Sequence, residues 1–282
     1  MLLGNGSTQL IYLFCAALRP RKALVVGPAF SEYANALKLA GATARFFPLA
    51  AENDFEFCTE RFLAEWAKSY DIAVLTNPNS ATGKPIPREA IERIARAAHA
   101  KKNLLVVDEA FIDFVEEKSV KYLIRENPYL IVLRSLTKYY ALPGLRLGYL
   151  LAHSRIVKQF TAHQEPWSVN GPAQKVALAC LADTNFRPKT DRWLKREKCF
   201  LSEALNSLKG FRPYPSEANF LLVQIKTDHA DALQLRSFLL RRKILIRPCD
   251  SFPGLGPGYF RVAVRQRNDN QRLLDALKES TA

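Results

Sequence analysis

The sequence has few of the residues that build metal centres, disulfide frameworks or membrane spans. Its 282 residues include four histidines and five cysteines, with no metal-ligand spacing and no CxxC pair. An odd number of scattered cysteines fits free thiols in a reducing compartment, so we expect a cytoplasmic protein without a metal site. The apolar run Leu10–Leu18 falls short of the roughly 18 residues that span a membrane, so no membrane partner is expected.

Basic residues outnumber acidic ones by 41 to 27, which gives a formal net charge of +14. They are spread along the chain, and no basic tail is interleaved with aromatic residues. This distribution favours a basic enzyme surface over a nucleic-acid interface, and such a surface attracts phosphorylated, acidic substrates. A basic nucleic-acid-binding or scaffold protein with a vestigial site is the alternative from another class.

Short apolar runs alternate with helical stretches in the first part of the chain. Runs too short for helices are typical of strands buried on both faces, so the pattern predicts an α/β fold with a mostly parallel central sheet flanked by helices. The predicted strands are Ala23–Val26, Ile72–Leu75, Leu104–Val107 and Leu130–Leu133. We predict a large domain over residues 1–160, and a connector helix with a small α+β domain over residues 161–282.

Polar residues follow the predicted strands where each strand ends. Because ligands bind beyond the carboxyl ends of parallel strands, these residues indicate one crevice. Asp108 is costly to bury unless a cation, such as a protonated ring nitrogen, pairs with it. Lys138 in a dry, cationic pocket would lose its proton and attack a carbonyl carbon. The glycine-rich segment Gly4–Thr8 precedes a predicted helix, whose N-terminus could hold a phosphate.

Each of these features also has an ordinary structural interpretation. Asp108 could cap a helix, Lys138 could be a surface lysine, and glycine-rich turns such as Gly4–Thr8 are common. Together, however, a carboxylate, a lysine, the cation of Arg146, an aromatic residue and a phosphate loop suit pyridoxal 5'-phosphate.

Three motifs resemble the fold-type I aminotransferase superfamily. They are Ser135–Lys138 followed by Pro143–Tyr149 (SLTK and PGLRLGY), Asn77–Gly83 (NPNSATG) and Asp108–Ala110 (DEA). Their order and spacing agree with that superfamily over nearly the whole chain. The resemblance implies a pyridoxal-phosphate enzyme of the fold-type I class, acting as a homodimer.

Longer segments are similar to one branch of that superfamily, the threonine-phosphate decarboxylases of cobalamin biosynthesis. These segments are Asp108–Phe114 (DEAFIDF), Leu133–Leu150, Pro166–Asn170 (PWSVN) and Ile244–Cys249 (ILIRPC). The branch decarboxylates O-phospho-L-threonine to (R)-1-amino-2-propanol O-phosphate. The alternative is a histidinol-phosphate-type aminotransferase, although those enzymes usually have DEAY where this chain has DEAF.

The resemblance also implies roles for individual residues. Lys138 would carry the cofactor as a Schiff base, Asp108 would pair with its ring nitrogen, and Phe30 would stack on its ring. The residues expected to hold the cofactor phosphate are Gly6, Ser7, Thr8, Ser135 and Arg146. The residues expected to bind the substrate are Asn79, Arg247 and Arg261, with Arg261 on the carboxylate. A surface position is a stronger alternative for Arg247 than for Arg261.

The chain departs from the family pattern at two site residues and in length. Ser80 stands where an asparagine usually bonds the cofactor's ring hydroxyl, and Phe111 replaces a tyrosine that often makes a second bond there. The shorter serine is expected to reach the hydroxyl only through water. The family also has an N-terminal arm before the glycine loop. The chain could be a fragment of a longer protein; if it is the whole protein, we expect incomplete recognition of the substrate phosphate.

Overall fold

The computed structural model describes residues 1–226 and 231–280. Its strands form two sheets, one of seven strands and one of four. The strands of the seven-stranded sheet are β1 (Leu2–Asn5), β2 (Lys22–Gly27), β3 (Thr43–Pro48), β4 (Ile72–Thr76), β5 (Leu104–Glu109), β6 (Leu130–Ser135) and β7 (Leu147–Ala152). Those of the four-stranded sheet are β8 (Phe211–Pro213), β9 (Phe220–Ile225), β10 (Arg247–Pro248) and β11 (Tyr259–Ala263).

Ten α-helices accompany the sheets within these described ranges. They are α1 (Gly6–Leu18), α2 (Ser31–Leu39), α3 (Thr59–Trp66), α4 (Arg88–Lys101), α5 (Leu136–Tyr139), α6 (Ser154–Thr161), α7 (Gly171–Ala182), α8 (Phe186–Ser207), α9 (Ala232–Arg241) and α10 (Arg267–Glu279). Short 3-10 helices cover Ala51–Asn53, Ile112–Lys118 and Lys121–Arg125. Among the described helices, none has the length and apolar character needed to cross a bilayer.

The large sheet has the strand order β1-β7-β6-β5-β4-β2-β3. Its strands from β6 to β3 run parallel, whereas β7 pairs antiparallel with both β6 and β1. The predicted fold-type I α/β fold with a mostly parallel sheet is therefore confirmed. Strands β1, β3 and β7 were not predicted, because β1 and β3 are only partly buried and β7 overlaps the lysine motif.

The four predicted strands are unbroken apolar runs because helices cover both faces of the sheet. In β5, Leu105 and Val107 face a cluster that includes side chains of α3 and α4. Val106, between them, faces the opposite cluster, which α1 and α2 complete. All three side chains are fully buried, as expected for a central parallel strand.

Helix α4 illustrates how the sequence specifies a covering helix. Pro87 precedes it, and the left-handed conformation of Lys102 ends it. Its buried side chains are Ala90, Ile91, Ile94, Ala95 and Ala98, which lie on one face. Burying each isoleucine contributes roughly 1.5–3 kcal/mol.

The four-stranded sheet is antiparallel throughout, with the order β10-β11-β9-β8. Its apolar face packs against α8, α9 and α10 in a separate core cluster. The predicted connector helix is two helices, α7 and α8, divided near Asp183. We retain the division into residues 1–160 and 161–282 as a proposal.

Candidate active site

The crevice lies at the carboxyl ends of β4, β5 and β6. Asp108 is the fifth residue of β5, and its Cα pairs with Thr76 of β4 and Leu133 of β6. Helix α5 begins directly after β6, and Lys138 is its third residue. The parallel register therefore brings the predicted carboxylate and the predicted lysine to the same edge of the sheet.

Asp108 is buried, and both of its carboxylate oxygens accept hydrogen bonds. The Tyr33 hydroxyl donates to Oδ2 at 2.7 Å, and the Ala110 backbone N–H donates to Oδ1 at 2.9 Å. Burial raises the pKa of Asp108, whereas these two bonds and the charge of Lys138 oppose that rise. A cation beside such a buried carboxylate would stabilise its charged form.

Lys138 is exposed as a residue, yet the surrounding protein desolvates its amine. Desolvation lowers the pKa of Lys138, and the charges of Arg261 and Arg146 lower it further, against the opposing effect of Asp108. Its Nζ lies 5.6 Å from the centroid of the Phe111 ring. A lysine in such surroundings is readily deprotonated, which is the state that attacks a carbonyl carbon.

Gly6 and Arg146 form one side of a cradle at the N-terminus of α1. Gly6 is the first residue of the helix and has φ +73°, in the left-handed region. A Cβ at Gly6 would lie 2.7 Å from Nη2 of Arg146, so glycine permits the guanidinium to approach the helix start. Ser7 and Thr8 occupy the first turn, whose free N–H groups favour an anion.

Ser135 closes this cradle from the neighbouring strand. Gly148 of β7 pairs with Ser135 of β6 on one side and with Gly4 of β1 on the other. A Cβ at Gly148 would lie 2.5 Å from the Ser7 backbone nitrogen, so this position also requires glycine. The sequence analysis missed Thr137, whose Oγ1 lies 2.8 Å from the Ser135 Oγ.

The side chain of Asn79, predicted to bind the substrate, is engaged by its own protein surroundings. Its Nδ2 donates to the Pro28 carbonyl and to the Thr76 hydroxyl. Its Oδ1 accepts from the backbone N–H groups of Ala81 and Thr82. All four of its hydrogen-bonding positions are thus used within the protein, so Asn79 shapes the loop and has none left for a substrate.

Ser80, the next residue, has an unsatisfied side chain. Within residues 1–226 and 231–280, no partner bonds the buried Ser80 Oγ or the buried Arg261 Nε. The Arg261 Nη1 donates to the Ser80 backbone carbonyl, which draws β11 against the loop. Buried polar groups without partners are costly, so these two atoms indicate a polar ligand between the loop and β11.

Arg247 and Arg261 lie side by side on adjacent strands. Their Cα atoms pair directly between β10 and β11, and both guanidinium groups lie over the Phe252 ring. Arg261 is also 4.3 Å from the Phe220 ring centroid, whereas the exposed Arg247 donates to the Ser251 hydroxyl. Burial lowers the pKa of Arg261, and the charge of Arg247 adds to that effect. Two adjacent cations of this kind favour an anion.

Phe30 lies at the start of α2, where it is half-buried and packs against the core cluster behind the crevice. Tyr33, three residues later, reaches Asp108 from the same helix. Sequence analysis missed Tyr33 because a tyrosine on the apolar face of a helix is most often a core residue. The signal in the sequence was the spacing of three residues between Phe30 and Tyr33, because residues i and i+3 lie on the same side of a helix.

Glu109 does not face the crevice. Its carboxylate accepts from Arg134 at 3.2 Å, from the Ser119 hydroxyl and from the Val120 N–H. Successive strand residues point to opposite faces, so Asp108 serves the crevice while Glu109 joins a buried ion cluster. A separate cavity of about 440 Å³ between α8 and residues 215–217 includes neither Asp108 nor Lys138.

The described residues fit pyridoxal phosphate at each part of that molecule. The cradle at the start of α1 suits the phosphate, and Asp108 suits the ring nitrogen. The desolvated amine of Lys138 suits the aldehyde, and the unpartnered Ser80 Oγ is a donor for the ring hydroxyl. The charges of Asp108, Arg146 and Arg261 all act on the pKa of the Lys138 amine, so these four residues form one electrostatic cluster.

Comparison with known proteins agrees with this fit. The family model "Aminotransferase class I and II" matches residues 1–277. A threonine-phosphate decarboxylase of Salmonella typhimurium is 38% identical over 280 residues, which cover 99% of this chain and 76% of the relative.

Two solved structures share the fold over 99% of this chain. The histidinol-phosphate aminotransferase from Clostridium acetobutylicum has a TM-score of 0.92 and 30% identity, with 83% of its chain covered. The L-threonine-O-3-phosphate decarboxylase from Porphyromonas gingivalis has a TM-score of 0.86 and 27% identity, with 82% covered. The chain therefore belongs to the class I and II aminotransferase family and is a pyridoxal-phosphate-dependent enzyme.

Proposed function

We propose that the protein decarboxylates O-phospho-L-threonine to (R)-1-amino-2-propanol O-phosphate and carbon dioxide. The observation that carries the proposal is the 38% identity to a threonine-phosphate decarboxylase across 99% of the chain. The site is compatible with such a dianionic substrate, because Arg247 and Arg261 present adjacent cations beside Lys138.

When bound, pyridoxal phosphate supplies an electron sink for the pair of electrons that remains as carbon dioxide leaves. The chain's own residues prepare that step. Asp108, held by Tyr33 and Ala110, would keep a proton on the ring nitrogen. The start of α1 and Arg146 would hold the cofactor phosphate.

Arg261 would orient the substrate. Its planar guanidinium suits a carboxylate, and its position between Phe220 and Phe252 restricts it to one direction. By holding the carboxylate, Arg261 would direct cleavage to the Cα–carboxylate bond and away from the Cα–H bond. Arg247, which is exposed, would contact the second anionic group.

Lys138 would complete the cycle as a proton donor. In its protonated form, Nζ would hold the proton that the substrate α-carbon takes up. The loss of carbon dioxide breaks the Cα–carboxylate bond, and a proton from Nζ then replaces the lost group on Cα. Phe111, whose ring lies 5.6 Å from Nζ, limits the access of water on that side.

The second candidate is a histidinol-phosphate-type aminotransferase. The observation that favours it is the TM-score of 0.92 with such an enzyme from Clostridium acetobutylicum. Lys138 and Asp108 would serve both reactions, so these two residues do not discriminate between them. Transamination leaves the amino group on the cofactor, whereas decarboxylation releases carbon dioxide and returns the cofactor unchanged.

We further propose a cytoplasmic homodimer that acts in cobalamin biosynthesis. All five cysteines lie within the described residues and are free, which agrees with a reducing compartment. Helix α7 and the preceding loop expose Trp167, Leu178 and Leu181, at 96%, 70% and 60% of their surface. An apolar surface of this kind is suited to burial against a second copy.

The test is to supply the purified protein with pyridoxal phosphate and O-phospho-L-threonine. The proposal expects release of carbon dioxide in equal amount to the aminopropanol phosphate, with far less turnover of L-threonine. Histidinol phosphate with 2-oxoglutarate is the competing substrate pair. Exclusive formation of glutamate from that pair would replace decarboxylation by the second candidate.

A further inference from the structure

Tyr33 was not among the predicted site residues, but its hydroxyl bonds directly to one of them, Asp108. Its side chain is fully buried, at 0% exposure, in the core cluster formed by α1, α2 and one face of the large sheet. Its hydroxyl donates to Asp108 Oδ2 at 2.7 Å. In the described structure, the other bond to this carboxylate comes from the Ala110 backbone, which substitution cannot remove.

A tyrosine buried as deeply as Tyr33 needs a partner for its hydroxyl. Many buried tyrosines satisfy that need with a backbone carbonyl, whereas this one selects the carboxylate at the floor of the crevice. A hydrogen bond donated to a carboxylate stabilises the charged form over the neutral one. It also restricts the rotation of the carboxylate, because Tyr33 holds Oδ2 while the Ala110 N–H holds Oδ1.

We propose that Tyr33 is a positioning residue that keeps Asp108 ionised and oriented towards the cofactor's ring nitrogen. Asp108 lies deep enough that burial alone would favour its neutral form. Besides burial, the groups that act on the Asp108 carboxylate are the neutral Tyr33 hydroxyl from α2, the charged Lys138 amine from α5 and the Ala110 backbone N–H. A neutral carboxyl group would leave the ring nitrogen unprotonated and weaken the electron sink.

The role of Tyr33 requires that the protein binds pyridoxal phosphate, as its family does. It holds for decarboxylation and for transamination alike. Its test therefore needs no substrate. Cofactor labelled with ¹⁵N at the ring nitrogen reports by NMR whether that atom carries a proton. Titration of the cofactor-free protein with pyridoxal phosphate gives the dissociation constant. A failed decarboxylation assay with a protonated ring nitrogen would thus count against the proposed reaction and leave Tyr33 untouched.

Tyr33→Phe removes the hydroxyl and little else. We expect the ¹⁵N resonance to move towards that of a neutral pyridine, and cofactor affinity to fall roughly ten- to a hundredfold, the range for a bond to a charged group. Tyr12→Phe is the matched control, since the Tyr12 hydroxyl donates to Glu32 between α1 and α2. This control should retain the wild-type resonance and affinity.

A double-mutant cycle with Asp108→Asn separates positioning from packing. If Tyr33 acts through Asp108, Tyr33→Phe changes cofactor affinity less than twofold once Asp108 is an amide. An unchanged ¹⁵N resonance in Tyr33→Phe, or full additivity in the cycle, would overturn the proposal. Should the Phe variant not fold, 4-aminophenylalanine at position 33 retains a donor. It must then preserve the wild-type resonance, and a neutral ring nitrogen there refutes the role.

Discussion

Replacing Arg261 and Arg247 in turn by lysine separates the two cations that face the crevice. Both variants keep the positive charge and lose the planar fork of the guanidinium. Arg261 lies between two aromatic rings, 4.3 Å from the centroid of Phe220 and 5.4 Å from that of Phe252. Arg247 is exposed and lies 5.7 Å from the Phe252 ring centroid.

The two substitutions should differ in size because the two sites differ in solvation. Arg261 has one N–H donating to the Ser80 carbonyl and a buried Nε without a described partner, so a bound carboxylate can complete a charge-assisted pair. Losing one such bond costs about 2 kcal/mol, or about thirtyfold in kcat/KM for Arg261→Lys. An exposed ion pair contributes at most about 1 kcal/mol, which predicts a change of about fivefold or less for Arg247→Lys.

The assay is the initial rate of carbon dioxide release from O-phospho-L-threonine over a range of concentrations, at saturating cofactor. The reasoning expects the larger loss at Arg261, with a dissociation constant for pyridoxal phosphate close to wild type in both variants. Equal losses at the two positions, or the larger loss at Arg247, would refute the assignment of the carboxylate to Arg261.

Two further substitutions test the cofactor loop and the buried ion cluster. Ser80→Asn introduces the longer amide of related enzymes and should tighten pyridoxal phosphate binding about fivefold, which corresponds to one hydrogen bond of ~1 kcal/mol. Quenching of tryptophan fluorescence measures the dissociation constant. Unchanged or weaker binding would contradict a bond from residue 80 to the cofactor. Arg134→Met leaves Glu109, Asp113 and Glu116 without their shared cation and should cost about 3–5 kcal/mol of unfolding free energy at neutral pH.

The same Arg134 variant has a defined pH dependence. Burial already raises the folded-state pKa of Glu109 and Asp113, and Arg134 opposes that rise. Removing Arg134 raises the folded-state pKa of Glu109 and of Asp113 further. The variant therefore loses stability as pH rises from about 4, the ordinary carboxyl pKa, through these raised folded-state pKa values. Urea unfolding should therefore show a gap from wild type that narrows towards acid pH. A constant gap would contradict this account.

The sequence allowed prediction of the central strands and of the residues at their carboxyl ends. Asp108 and Lys138 could be found because each follows an unbroken apolar run, and such runs form strands where helices cover both faces. The edge strands were harder. In β3, the residues from Thr43 to Pro48 alternate between exposed and partly buried positions until Phe47, so no apolar run marks them.

Side-chain partners could not be predicted in the same way. Asn79 and Ser80 are adjacent polar residues in one loop, and only the fold shows that the first is fully bonded and the second is free for a ligand. Likewise, Asp108 and Glu109 look equivalent in sequence but face opposite sides of β5. Tyr33 was missed because its partner lies 75 residues away in the chain.

The most direct test of the account is to locate the lysine that binds the cofactor. Reduction of the loaded protein with borohydride, followed by proteolysis and mass spectrometry, identifies the modified residue. The structure predicts a phosphopyridoxyl group on Lys138 and none in Lys138→Ala, while Lys84→Ala, at the neighbouring loop, retains the label. Absence of any label, or its attachment to another lysine, would contradict the assignment of this crevice as the cofactor site.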